Sequence, residues 1–175
     1  MKDADFSKLY ESHAEQVYKF LLGLCGDVHQ AEDLLQDTFV KAIQNVDGFD
    51  NRCKFTTWLY TIAKNTYYDS LRKKKRHPEE ALTEDVAWEQ SLEAHILDGD
   101  SAKEIRRMIH RLPEPYKEVF LLRFYGELSF REIGENFGKS EVWGRVTYLR
   151  GKELYKPGTV HRTYGEEFPG DNILI

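Results

Sequence analysis

The 175-residue chain has no run near the roughly 18 consecutive apolar residues that cross a bilayer. Its first residues, Met1-Lys2-Asp3-Ala4-Asp5-Phe6, lack the basic-then-apolar order of a signal peptide. A cytoplasmic protein with no membrane insertion is therefore expected. Only two cysteines occur, Cys25 and Cys53, which allow at most one bridge; a chain of this length buries a core without covalent staples, so reduced, inert thiols are expected. The histidines at 13, 29, 77, 95, 110 and 161 and the two cysteines show no metal-ligand spacing, and no glycine-rich loop cradles a phosphate. No catalytic residue, metal or cofactor is expected. Sustained two-residue alternation of apolar residues is also missing, which argues against strands and for an all-α fold.

What is present is charge sorted along the chain. The net charge of −5 divides into −6 for residues 1–51, +7 for 52–76, −8 for 77–104, +4 for 105–156 and −2 for 157–175. Two basic blocks separated by an acidic one suit two contacts with a polyanion, although two solvated helix faces would show the same segregation.

Apolar residues recur at helical spacing. Phe6, Leu9, Tyr10, Val17, Phe20 and Leu21 predict a first helix to about Gly23 or Gly26. Leu34, Leu35, Phe39, Ala42, Ile43 and Val46 predict a second, which stops at the turn-prone residues 46–51. Phe55, Leu59, Ile62 and Thr66 mark a third, continuing to Leu71 and the basic run Arg72 to Arg76. These make one small helical domain over 1–76. Pro78 opens an acidic linker, 77–100, with scattered Leu82, Val86, Trp88, Leu92 and Ile96. A second helical domain is expected over 101–156, beginning with Ile105, Met108, Ile109 and Leu112, turning at Pro113-Glu114-Pro115, and continuing through a helix with core candidates Val119, Phe120, Leu122 and Phe124. Residues 157–175 read as a tail.

Two constellations carry chemistry. Ser129-Phe130-Arg131-Glu132 has the capping-box order, Gly138 can close the helix that follows, and Ser140 can cap the next. The result is a helix-turn-helix whose second helix would enter a DNA major groove. Gly144 and Gly151 lie inside that second helix at about 1 kcal/mol each relative to alanine, so close packing on the preceding helix is expected to require them. On the third helix, Lys54, Trp58, Thr61, Asn65, Tyr68 and Arg72 fall on one side at three- and four-residue steps, with Lys64 and Arg72 to Arg76 nearby. Aromatic rings that stack on unpaired bases, among cations that neutralise phosphates, suit single-stranded DNA. The alternative is that Trp58 and Tyr68 pack on neighbouring helices.

Four segments carry a resemblance: residues Ala31 to Phe39, Phe55 to Asn65, Leu112 to Phe120, and Leu128 to Gly134. In order and spacing they resemble regions 2 and 4 of the extracytoplasmic-function (ECF) sigma factors of bacterial RNA polymerase, over about residues 5–156. The resemblance implies a non-enzymatic subunit that directs promoter recognition and transcription initiation. It implies that Asp33, Gln36 and Asp37 on the second helix contact core RNA polymerase. It places Asn51, Arg52, Lys54, Trp58, Thr61, Asn65, Tyr68 and Arg72 at the single-stranded −10 element, the loop from Asp47 to Lys54 holding a flipped base. It places Lys139, Ser140, Trp143, Arg145, Thr147 and Arg150 at the −35 duplex, and implies an anti-sigma factor as partner, with stress or the cell envelope as the trigger. Many members begin the recognition helix Gly-Thr-Val-Lys-Ser-Arg, whereas this chain reads Ser140-Glu141-Val142-Trp143-Gly144-Arg145, which leaves the outward register of that helix open. A stand-alone helix-turn-helix regulator and a protein-binding helical adaptor are the competing readings.

Overall fold

The structure is a computed structural model, and it describes residues 3–76 and 109–154. All secondary structure among them is helical. Helix α1, Asp3–Cys25, buries Val17, Phe20, Leu21 and Leu24, a three- and four-residue repeat that puts one stripe into the core. It ends where Gly26 takes a left-handed φ of 72° and its N–H returns to the Leu22 carbonyl at 2.8 Å. Asp27 then caps α2, Val28–Asn45, by accepting from the Gln30 amide at 2.7 Å. The second helix thus begins well before the apolar pattern that predicted it. A single 3-10 turn, Val46–Gly48, leads to α3, Phe55–Arg76, whose last turn holds Lys73, Lys74, Lys75 and Arg76 where the helix dipole favours cations.

The second half resumes at the end of a helix over 109–111 and continues as α4, Tyr116–Phe124, α5, Phe130–Phe137, and α6, Glu141–Leu154. The capping box is formed: Ser129 and Glu132 exchange side-chain-to-backbone bonds of 2.7 and 3.3 Å. Gly138 is left-handed at φ 64°, Lys139 N–H reaches the Gly134 carbonyl at 2.8 Å, and Ser140 Oγ accepts from the Trp143 amide at 3.2 Å. The helix-turn-helix anticipated from local sequence is therefore present. Gly144 meets α5 as expected, since a Cβ there would lie 2.7 Å from the Phe130 carbonyl oxygen; Gly151 instead packs on α4, 2.8 Å from the Phe120 ring.

The two halves do not stand apart. One continuous apolar core includes Val17, Phe20, Leu21, Leu59 and Tyr60 from the first and Val119, Leu121, Leu122, Leu128 and Ile133 from the second. Gly23 lets α1 come against α4, since a Cβ there would lie 2.5 Å from Leu121 Cδ2. The Tyr60 ring meets Phe20 edge-on at 5.2 Å while its hydroxyl donates to the Tyr125 carbonyl at 3.1 Å. Two expected core residues lie at the surface: Ile43 is 45% and Phe124 61% exposed, because α2 and α4 each bury one stripe and these positions fall off it. The linker, the tail, Ile105 and Met108 lie outside the described residues. No helix among the described residues is long and apolar enough to cross a membrane.

The α5–α6 turn depends on a close backbone approach. A Cβ at Gly134 would lie 2.6 Å from the Ser140 carbonyl oxygen and 2.8 Å from that of Lys139. These are backbone atoms that cannot swing aside. Gly134→Ala is expected to cost about 1–3 kcal/mol, seen as a lower urea midpoint at unchanged slope.

Candidate nucleic-acid interface

The polar side of α3 is built by helical repeat, and the second half covers part of it. Lys54 Nζ lies 2.9 Å from Glu132 Oε1. Thr61 Oγ1 donates to the Thr57 carbonyl at 2.9 Å and accepts from Asn136 Nδ2 at 2.9 Å. The Tyr68 hydroxyl donates to the Glu118 carboxylate. Trp58, half-buried, packs among Phe49 at 5.1 Å and Phe55 at 5.3 Å between ring centroids. Asn65 and Arg72 remain exposed, the latter paired with Asp69. In the loop before α3, Asn51 takes a left-handed φ of 58°, and Arg52 pairs with Asp50 at 2.8 Å. Asn51 and Arg52 are exposed.

Lys64 departs most from the sequence reading, which set it among exposed cations. It is 9% exposed, its Nζ donates to the Asn136 backbone carbonyl at 2.9 Å, and it lies 3.9 Å from the Phe137 ring centroid. Burial pulls its pKa down, and the Glu118 carboxylate pulls it back up. Nothing in a single helix period marks this residue, because its partners are 72 positions away.

On the helix-turn-helix, Lys139, Ser140, Arg145 and Arg150 are exposed. Trp143 and Thr147 are not on that outward face: Trp143 leans on Phe137 at 4.8 Å between ring centroids, and Thr147 is 6% exposed. They lie on the packed side of α6, together with Gly144 and Gly151. Exposed Val142, Val146 and Leu149 take their place. On α2, Asp33, Gln36 and Asp37 are exposed, and Val40 and Ile43 extend their stripe with apolar surface. The sequence reading did not place these two on that side; Val40, three and four residues after Asp37 and Gln36, and Ile43, three after Val40, carried the signal in their spacing.

The electrostatics at the seam are finely divided. Burial pushes the Glu118 carboxyl above its ordinary range, against the pull of Tyr68, Lys64 and Lys117. Burial and the Glu118 charge raise neighbouring Glu114 to about 7. Glu132 is held below the ordinary value despite burial, by hydrogen bonds from Ser129 and Lys54.

Residues 9–77 match the family described as Sigma-70 region 2, and residues 102–152 that described as Sigma-70, region 4. The chain is 35% identical over 164 residues to the ECF RNA polymerase sigma factor SigW of Bacillus subtilis, covering 86% of this chain and 87% of the relative. It is 27% identical to SigM of the same organism, over 85% of this chain and 91% of that one. Its fold is similar to that of the sigma factor RpoE in complex with the anti-sigma factor NepR from Bartonella quintana, with TM-score 0.71 and 22% identity over 86% of this chain and 94% of that one. CnrH in complex with the cytosolic domain of CnrY is also similar, with TM-score 0.64 and 20% identity over 88% and 86%.

The carboxyl pair at the seam has a pH signature. A carboxyl whose pKa is raised by folding keeps its proton where the unfolded chain has lost it. Its stabilisation is full below the unfolded value of 4.5 and is lost as pH rises towards about 7. Glu114→Gln, which imitates the protonated acid and can still accept from the Glu118 amide, is expected to gain stability relative to the parent chain as pH goes from about 5 to about 8. Paired urea titrations measure this, and a gap that does not change with pH would contradict it.

Proposed function

The chain belongs to the ECF branch of the sigma-70 family of bacterial RNA polymerase sigma factors, and from that premise we propose how its surfaces divide the work of promoter recognition. The family's role is to bring core polymerase to promoter DNA; RNA synthesis belongs to the polymerase, and this chain is not an enzyme. In our reading the α2 stripe of Asp33, Gln36, Asp37, Val40 and Ile43 docks on the polymerase. Asn51, Arg52, Lys54, Trp58, Thr61, Asn65, Tyr68 and Arg72 hold the opened −10 strand. Residues 1–76 and 101–156 act as the two working domains, with 77–100 as the connection. Extruding a base costs a few kcal/mol, which aromatic stacking offsets.

The observation that carries the reading is the cover on α3. Lys54, Thr61 and Tyr68 are engaged by Glu132, Asn136 and Glu118 of the second half, so the arrangement is a resting one and DNA engagement requires the halves to part. The α2 stripe is exposed in the same arrangement. Such a resting form suits regulation by an anti-sigma factor, a reading supported by the fold shared with a sigma factor whose structure holds one. The stand-alone regulator is less well supported, since the chain's net charge is −5 and unaided duplex binding rests largely on neutralising phosphates.

Co-purification with bacterial core polymerase, followed by transcription from genomic fragments, tests the reading. Stable association and start sites sharing a −35 and −10 pair are expected; duplex binding without association would favour the stand-alone regulator. Asp37→Arg should lower core affinity by about tenfold in a fluorescence titration, with folding intact because the side chain is exposed. Thr61→Cys combined with Asn136→Cys, in a chain free of Cys25 and Cys53, should lose promoter-directed transcription when oxidised and regain it on reduction. Full activity of the oxidised, verified disulfide form would rule out the need for opening.

A further inference from the structure

The outward face of α6 is unusual for a surface that meets DNA, because its centre is aliphatic. Val142 is 68%, Val146 37% and Leu149 51% exposed. Scattered exposed aliphatics are ordinary, but these three lie at steps of four and three on one helix and form a single stripe. At about 100° per residue, Arg145 and Lys152 fall on one flank of the stripe and Arg150 on the other, all exposed. Arg145 is steadied by Glu141, one turn earlier, at 3.2 Å. An apolar strip flanked by cations, two on one side and one on the other, matches the floor and walls of a major groove, with base edges between two phosphate backbones.

Position agrees with chemistry. The stripe begins at the second residue of the second helix of a helix-turn-helix and occupies its first three turns, the part that faces base edges. Glu153 lies in line with it one turn further on, where its carboxylate repels phosphate and limits the DNA-facing length. The one apolar group displayed in the major groove is the C5-methyl of thymine. From this we infer that Val142, Val146 and Leu149 read thymine methyl groups in the −35 duplex, so the preferred −35 element carries thymines at the positions beneath them on one strand or the other. The inference rests on the assignment of α6 to the −35 element.

The test replaces thymine by deoxyuridine, which removes the methyl and leaves base pairing unchanged. It uses the reconstituted holoenzyme and a promoter recovered from the genomic transcription above. Single deoxyuridine substitutions in the −35 duplex should weaken binding by about fourfold at each methyl that is read. Val146→Ser or Leu149→Gln, both at exposed positions where folding is unaffected, should lower affinity for the thymine duplex and erase the penalty at the matching base. If scrambling the −35 element abolishes binding but no deoxyuridine substitution does, the methyl reading fails while the −35 assignment stands. If scrambling has no effect, both fail. Loss of core polymerase affinity in Val146→Ser with an unchanged deoxyuridine penalty would assign the stripe to a protein surface and overturn the inference.

Discussion

A buried ammonium group ties the two halves of this chain together. Lys64 sits on α3 in the first half, yet its Nζ finds its hydrogen-bond acceptor, the Asn136 carbonyl, and its ring, Phe137, in the second. Removing a cation from water costs several kcal/mol unless new partners replace hydration. In the closed arrangement those partners come from α5, with Glu118 on α4 supplying the opposing charge. Parting the halves would return Lys64 to solvent, where water takes over the same task. The charge therefore specifies how the halves meet while adding little to the cost of separating them.

Other polar groups along the seam act in the same direction. Glu118 Oε1 and Asn136 Oδ1 are buried with no hydrogen-bond partner among the described residues. Each such group costs about 1–3 kcal/mol relative to a hydrated one. The apolar contacts, Gly23 against Leu121 and Tyr60 against Gly126, hold the closed form; the unmet polar groups and the raised carboxyls of Glu114 and Glu118 work against it. A seam made only of Leu121-type contacts would be a permanent core. This one is divided between attraction and penalty, as a surface must be if DNA is to replace the second half on α3.

The division also explains what was legible in the sequence. The capping box at Ser129 and Glu132 and the left-handed Gly138 were readable because each is settled within a few residues, and they located the helix-turn-helix. The repeat Lys54, Trp58, Thr61, Asn65, Tyr68, Arg72 was readable as one side of a helix. What covers that side was not, since Thr61 meets Asn136 across 75 positions. Ile43 and Phe124 have the hydropathy of core residues, and only the packing of whole helices shows them outside. On α6, Trp143 and Thr147 drew attention as polar or aromatic candidates, but Gly144 and Gly151 mark the side that packs, which turns those two inward. The small residues carried the register, and the larger ones followed it.

The surfaces of one chain thus differ in their availability before any partner arrives. The α2 stripe and the outward face of α6 are open in the closed form, whereas Thr61 and Tyr68 on α3, and Lys54 just before it, have partners in the second half. On the division of surfaces proposed above, docking through α2 would need no separation of the halves, whereas holding a single strand on α3 would. On that proposal the order is polymerase first and −10 strand later, with the second half shielding part of α3 until then. A ligand can shift such an equilibrium only by its difference in affinity for the two forms. Docking must therefore favour the open chain through contacts with the second half as well as α2, or leave the opening to the DNA itself.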